Sequence, residues 1–200
     1  MKKLILIAAV MLASVGAYAQ HAVGSFTLQP KVGVSIANLT DSKADSRVGF
    51  VGGVEGEYQV TDLFSISAGL LYSMQGAKSD SKSSTFKSKV TGTTKLDYIN
   101  IPIMANVYVV KGFAVKLGIQ PGFKVNSERK TDLKTPLLNV VGSTETEAKS
   151  FDFSLPVGIS YEYANFQLDA RYNFGLTKAF NNIDSKNSVF QITLGYKFDL

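Results

Sequence analysis

Twelve ionisable side chains recur at alternate positions of segments that are otherwise apolar every second residue. They are Lys31, Arg47, Lys116, Lys124, Arg171 and Lys197, with Glu55, Glu57, Asp152, Glu162, Asp169 and Asp199. Cations and anions gathered inside a protein can line a passage that selects solutes by charge. They can instead pair with one another and fill the space they enclose, because a buried charge needs a partner. For a narrow enclosure we expect the second outcome, a salt-bridged plug. Arg171 would then pair with Asp169, Glu162 or an acid of a neighbouring strand, and Lys31 with Glu55 or Glu57. Catalysis has no comparable basis. Hydrolytic sites set a histidine beside a nucleophile or acid, and the one histidine, His21, falls in an N-terminal segment expected to be flexible. The chain has no cysteine, no clustered His/Asp/Glu spacing and no phosphate-cradling glycine loop, so neither a metal nor a cofactor is expected. The chain is read as a non-enzyme.

The elements that must position these charges are β-strands. In the last thirteen residues Phe190, Ile192, Leu194, Tyr196, Phe198 and Leu200 alternate with Gln191, Thr193, Gly195, Lys197 and Asp199, the period of a strand and not of a helix. The pattern recurs seven more times, near residues 25–38, 47–60, 63–76, 97–109, 113–125, 151–163 and 166–177. Tight turns are predicted around Thr61 and Asp62, Lys111 and Gly112, and Ala164 and Asn165. Longer polar connections are expected at 39–46, 77–96, 127–150 and 178–187. Short turns at one end and long loops at the other is the asymmetry of an outer-membrane barrel. Pro30, Pro102, Pro121 and Pro156 count against continuous strands, since proline cannot donate to a ladder. Local bulges or ends of pairing are the expected resolution.

Size decides which face points inward. Eight tilted strands enclose a cylinder roughly 17 Å across between backbones, which inner side chains largely fill. The polar face carries the small residues, Gly33, Gly49, Gly53, Gly69, Gly118, Gly122, Gly158, Gly175 and Gly195 among them, and the other face is crowded with Phe, Tyr, Ile and Leu. Polar goes in and apolar goes out. Charge agrees, because Arg or Lys facing the bilayer midplane costs about 2–4 kcal/mol, and no apolar face has a charge away from its ends.

Residues 1–19 read as a secretory signal peptide, with Lys2 and Lys3, an apolar run from Leu4 to about Val15, and Ala17-Tyr18-Ala19 as a cleavage pattern. The barrel domain would then occupy residues 20–200. Removing Lys2 and Lys3 lowers the formal charge of +5 by two, and what remains is dispersed, so no nucleic-acid partner is expected. Among the loops, Pro136-Leu-Leu-Asn-Val-Val141 is an apolar patch between charges. Its plain reading is a solvated loop. Its sharper reading is a contact of Leu137, Leu138, Val140 and Val141 with a partner protein or a surface polysaccharide.

The stretches Lys31-Val-Gly-Val-Ser-Ile-Ala-Asn38, Gly49-Phe-Val-Gly-Gly53, Tyr98-Ile-Asn-Ile-Pro-Ile103 and Gly195-Tyr-Lys-Phe198, in that order and spacing, resemble the outer-membrane-protein β-barrel (PorT-like) family of Bacteroidota across essentially the whole mature chain. Its members are often labelled porin-like and the namesake assists protein secretion. The family brings no shared catalytic or ligand motif to carry over, and the terminal Leu200 departs from its commoner aromatic. The expectation is therefore an all-β, eight-stranded, antiparallel, up-and-down transmembrane barrel of a Gram-negative outer membrane. It would be monomeric, contacted by membrane lipids, and would act as a structural or interaction protein through its loops. A narrow porin and an accessory subunit of a secretion or envelope complex are the alternatives.

Overall fold

The computed structural model describes residues 21–40, 45–83, 88–134, 139–145, 148–179 and 185–200. The strands are β1 (Phe26–Leu39), β2 (Asp45–Thr61), β3 (Phe64–Ser83), β4 (Ser88–Asn100), β5 (Ile103–Val110), β6 (Phe113–Lys134), β7 (Asn139–Glu145), β8 (Phe151–Tyr163), β9 (Phe166–Lys178), β10 (Lys186–Tyr196) and β11 (Phe198–Asp199). All pairings are antiparallel, and β1 closes the ring against β10 and β11, with Val34 opposite Ile192 and Leu28 opposite Phe198. β4 and β5 are one wall strand broken at Ile101–Pro102, and β10 and β11 one broken at Lys197, so the ring has eight strands. Closure leaves the wall no open edge.

The wall is inverted relative to a water-soluble protein. Val32, Val54, Leu70, Val107, Leu117, Ile159, Leu168 and Leu194 are exposed on its outside, whereas Lys31, Glu55, Ser67, Asn106, Lys116, Asp169 and Gln191 are buried inside. Val51, Leu71, Tyr98 and Met104 add an apolar minority to the interior. An exposed apolar belt around a polar core is stable only where the surroundings are hydrocarbon.

Pro30, Pro121 and Pro156 each keep register with one neighbour and lose it with the other. Pro30 lies opposite Val54 on β2, but the β1 pairing with the last strand skips from Lys31–Gly195 to Leu28–Phe198. Pro156 faces Asn173 on β9, and Pro121 faces Phe153 on β8. Pro102 sits in the break between β4 and β5, where its carbonyl accepts from Gly69 N–H at 3.0 Å. Interrupted pairing therefore accommodates the prolines, and the bulges lie elsewhere, such as between Asp97 and Tyr98. A missing donor costs little where no acceptor faces it.

The two ends of the ring differ. At one end the turns are tight: Ala164 and Asn165 both have positive φ, 47° and 70°, as a two-residue turn of type I′ requires. At the other end the expected loops 77–96 and 127–150 are largely strand. β3 continues to Ser83 against β4, β4 pairs with β6 up to Lys89–Lys134, and β6 pairs with β7 from Glu128–Glu145 to Lys134–Asn139. These outer parts form a sheet standing above the wall by roughly 25 Å, at about 3.3 Å per residue. Leu137 and Leu138 lie outside the described residues, and Val140 and Val141 fall within β7.

Candidate functional site

Halfway along the lumen, five charged groups from four strands form one layer. Glu55 on β2 lies 3.1 Å from Lys31 of β1, 3.1 Å from Lys116 of β6 and 3.2 Å from Arg171 of β9. Asp169 on β9 lies 2.9 Å from Lys116 and 2.8 Å from Arg171. Every one of these side chains is at most 1% exposed. Of the expected pairs, the layer realises Arg171 with Asp169 and Lys31 with Glu55.

Glycines make room for the long cations. Lys31 has Gly53 on one side and Gly195 on the other, and Gly158 separates Lys116 from Arg171 in register. A Cβ at Gly158 would stand 2.9 Å from the Cβ of Arg171, closer than two such atoms pack. A cross-strand side chain there would displace the guanidinium from the layer. The glycines that mark the inner face in sequence are thus the space that the ion layer occupies.

A second layer lies at the tight-turn end. Lys197 Nζ is 2.9 Å from Glu57 and 2.7 Å from Glu162. Ser65 donates to Glu57 at 2.6 Å, and Tyr108 donates to the same carboxylate. Glu162 therefore pairs with Lys197, and Arg171 takes the acids of the central layer. Asp199 departs from its expected lumenal place. Its side chain is 62% exposed, at the end of the short β11 that follows the break at Lys197. His21 was expected in a flexible segment. Its side chain is instead only 12% exposed, with Nε2 3.0 Å from Glu162 and Nδ1 2.6 Å from Asp199. The hydrogen bond to Glu162 raises the His21 pKa above the ordinary 6.5, ahead of the opposing effect of burial. No sequence period could have marked it, since it precedes the first strand.

Towards the sheet that stands above the wall the charges are held mostly by neutral partners. Arg47 donates to the Gln75 carbonyl and lies 3.6 Å from Asp97, which also accepts from Asn126 at 3.0 Å. Asp152 accepts from Thr177 at 3.2 Å and Asn187 at 3.1 Å, and Lys124 donates to the Ala148 carbonyl. Asp97 and Tyr108 were not singled out from sequence; Tyr108 sits on the inner face at strand spacing, which is the available signal. Among the described residues no group of three His, Cys, Asp or Glu is placed to hold a metal ion.

A family model described as outer membrane protein beta-barrel domain matches residues 18–181. No curated protein matches the chain. Among solved structures, the attachment invasion locus protein Ail of Yersinia pestis is similar at TM-score 0.51 and 14% identity, over 88% of this chain and 100% of that one. Neisserial surface protein A is similar at TM-score 0.49 and 16% identity, over 86% and 97%. At such identity the likeness to Ail is one of fold.

Proposed function

The chain belongs to the outer membrane protein beta-barrel domain family, and from that premise we propose a non-conducting, non-enzymatic barrel that acts as a structural or interaction protein through its extracellular sheet. The observation that carries this is the central layer. Lys31, Lys116 and Arg171 meet Glu55 and Asp169 across the full width of the lumen, each side chain at most 1% exposed. A solute would have to separate ion pairs in a low-dielectric enclosure, and breaking such a pair costs about 3–5 kcal/mol.

Export through a signal peptide at residues 1–19 completes the proposal, with the tight turns and both ends of the barrel domain on the periplasmic side as short periplasmic turns would have it. Planar-bilayer recording of the purified protein tests the closed lumen. The expected record lacks steady conductance steps, and solute flux graded by size would establish the porin alternative instead. A PorT-like role beside secretion machinery predicts co-purification with an envelope complex after gentle detergent extraction.

A further inference from the structure

His21 lies in a segment that folds back over the mouth of the barrel. Gly24 N–H donates to the Gln59 carbonyl at 2.8 Å, and Gln59 N–H donates to the Ser25 carbonyl at 3.0 Å, which ties this segment to the end of β2. The His21 ring then reaches Glu162 on β8 and Asp199 on β11. A neutral imidazole has one N–H and one lone pair, whereas both ring nitrogens here face carboxylate oxygens. Only the imidazolium donates to both. Lys197, which shares Glu162 with His21, opposes that charge.

We propose that His21 is a pH-operated latch that holds the N-terminal segment across the mouth of the barrel, tight when the ring is protonated and loosened when it is not. The periplasmic placement of that mouth rests on the function proposed above; the latch itself does not. A group whose folded pKa is raised stabilises the folded contact fully below its unfolded pKa and loses that effect as pH climbs through the folded value. Here the raised value lies above 6.5, so the latch loosens as pH climbs from about 6.5 towards that raised value. On loss of the proton one carboxylate contact becomes a lone pair against an anion; Asp199, being exposed, swings away, and the remaining N–H stays on Glu162, so the latch falls from two carboxylates to one.

The single histidine makes the test unambiguous. The full chain labelled with ¹⁵N-histidine is purified in detergent or nanodiscs and titrated by NMR. The expected result is a ring protonated on both nitrogens at about pH 6, a midpoint above the ordinary value, and a lower midpoint in Asp199→Asn. Glu162 belongs to the buried layer, so Asp199→Asn is the variant that leaves the fold intact. Exchange of the Gly24 amide, divided by that of His21→Gln at the same pH, should rise by up to about tenfold per pH unit from about 6.5 to the midpoint and level off above it. A midpoint at or below 6.5, one unmoved by Asp199→Asn, or a flat exchange ratio overturns the latch whatever the conductance of the barrel.

Discussion

β6 is one strand in two environments. Within the wall it exposes Val115, Leu117 and Ile119 and buries Lys116 and Gln120. Beyond the bulge opposite Asp97 and Tyr98 it continues as Ser127-Glu-Arg-Lys-Thr-Asp132, with no apolar face at all. The backbone ladder is unbroken in kind across both parts. In the wall a backbone group has no water to turn to, so pairing is compulsory and the alternating side chains record which neighbour is hydrocarbon. Above the wall water can replace each ladder bond, so the sheet of β3, β4, β6 and β7 stands on cross-strand pairing alone and opens at lower free energy. Wall and sheet should therefore fail separately.

The largest effect is expected where charge is sealed in the wall. Asp169→Ala leaves Lys116 and Arg171 with Glu55 as the remaining acid of the central layer, and should cost about 3–5 kcal/mol. Urea unfolding from lipid vesicles measures it. In the sheet, Glu128→Ala removes the 3.1 Å pair with Lys95, both partners more than a quarter exposed, and should leave the unfolding midpoint where it was. Equal losses from both variants would erase the distinction between wall and sheet.

A charge added to the outer surface sharpens the same contrast. Leu194→Arg places a guanidinium on the belt, where it should cost about 2–4 kcal/mol near the bilayer midplane. Thr131→Arg, exposed in the sheet, should change stability by no more than about 0.5 kcal/mol. If Leu194→Arg were equally mild, the face carrying Leu194 would not be meeting hydrocarbon.

These two environments also explain what could be read from sequence. A wall strand has one wet or ionic neighbour and one apolar one, so period-two alternation marks all eight wall strands and their inner faces. Arg171 and Asp169 are two residues apart on one strand, a pairing that sequence exposes directly. Lys31 and Glu55 are diagonal neighbours, since Lys31 is opposite Gly53 and Gln29 opposite Glu55, so sequence leaves Glu55 and Glu57 as equal candidates. Lys116 meets Glu55 across the lumen from a strand that does not adjoin β2, and no local spacing encodes that. The outer parts of β3, β4, β6 and β7 have polar residues at successive positions, so the ladder leaves no hydrophobic period and the segments look like loops. His21 is fixed by carboxylates at the far end of the chain, beyond the reach of any local pattern.

The smallest effect on the barrel, and the most selective, is expected from Thr93→Pro. Thr93 sits on β4 between Lys78 of β3 and Lys130 of β6, in the middle of the outer sheet, where proline removes a donor and pushes its ring against a neighbour. Each ladder bond lost is worth about 1 kcal/mol, which raises the open population of the sheet roughly fivefold. Trypsin cutting near Lys95, Arg129 or Lys130 reads that opening, because cleavage follows the open population when reclosing is fast. The wall below does not depend on β4 at this height, since from Asp97 to Asn100 it pairs within the ring on both sides. Cleavage should therefore speed up while the urea midpoint of the barrel stays unchanged. A midpoint that fell together with the protection of the sheet would make wall and sheet one cooperative unit, and the outer strands would then be part of what holds the barrel closed.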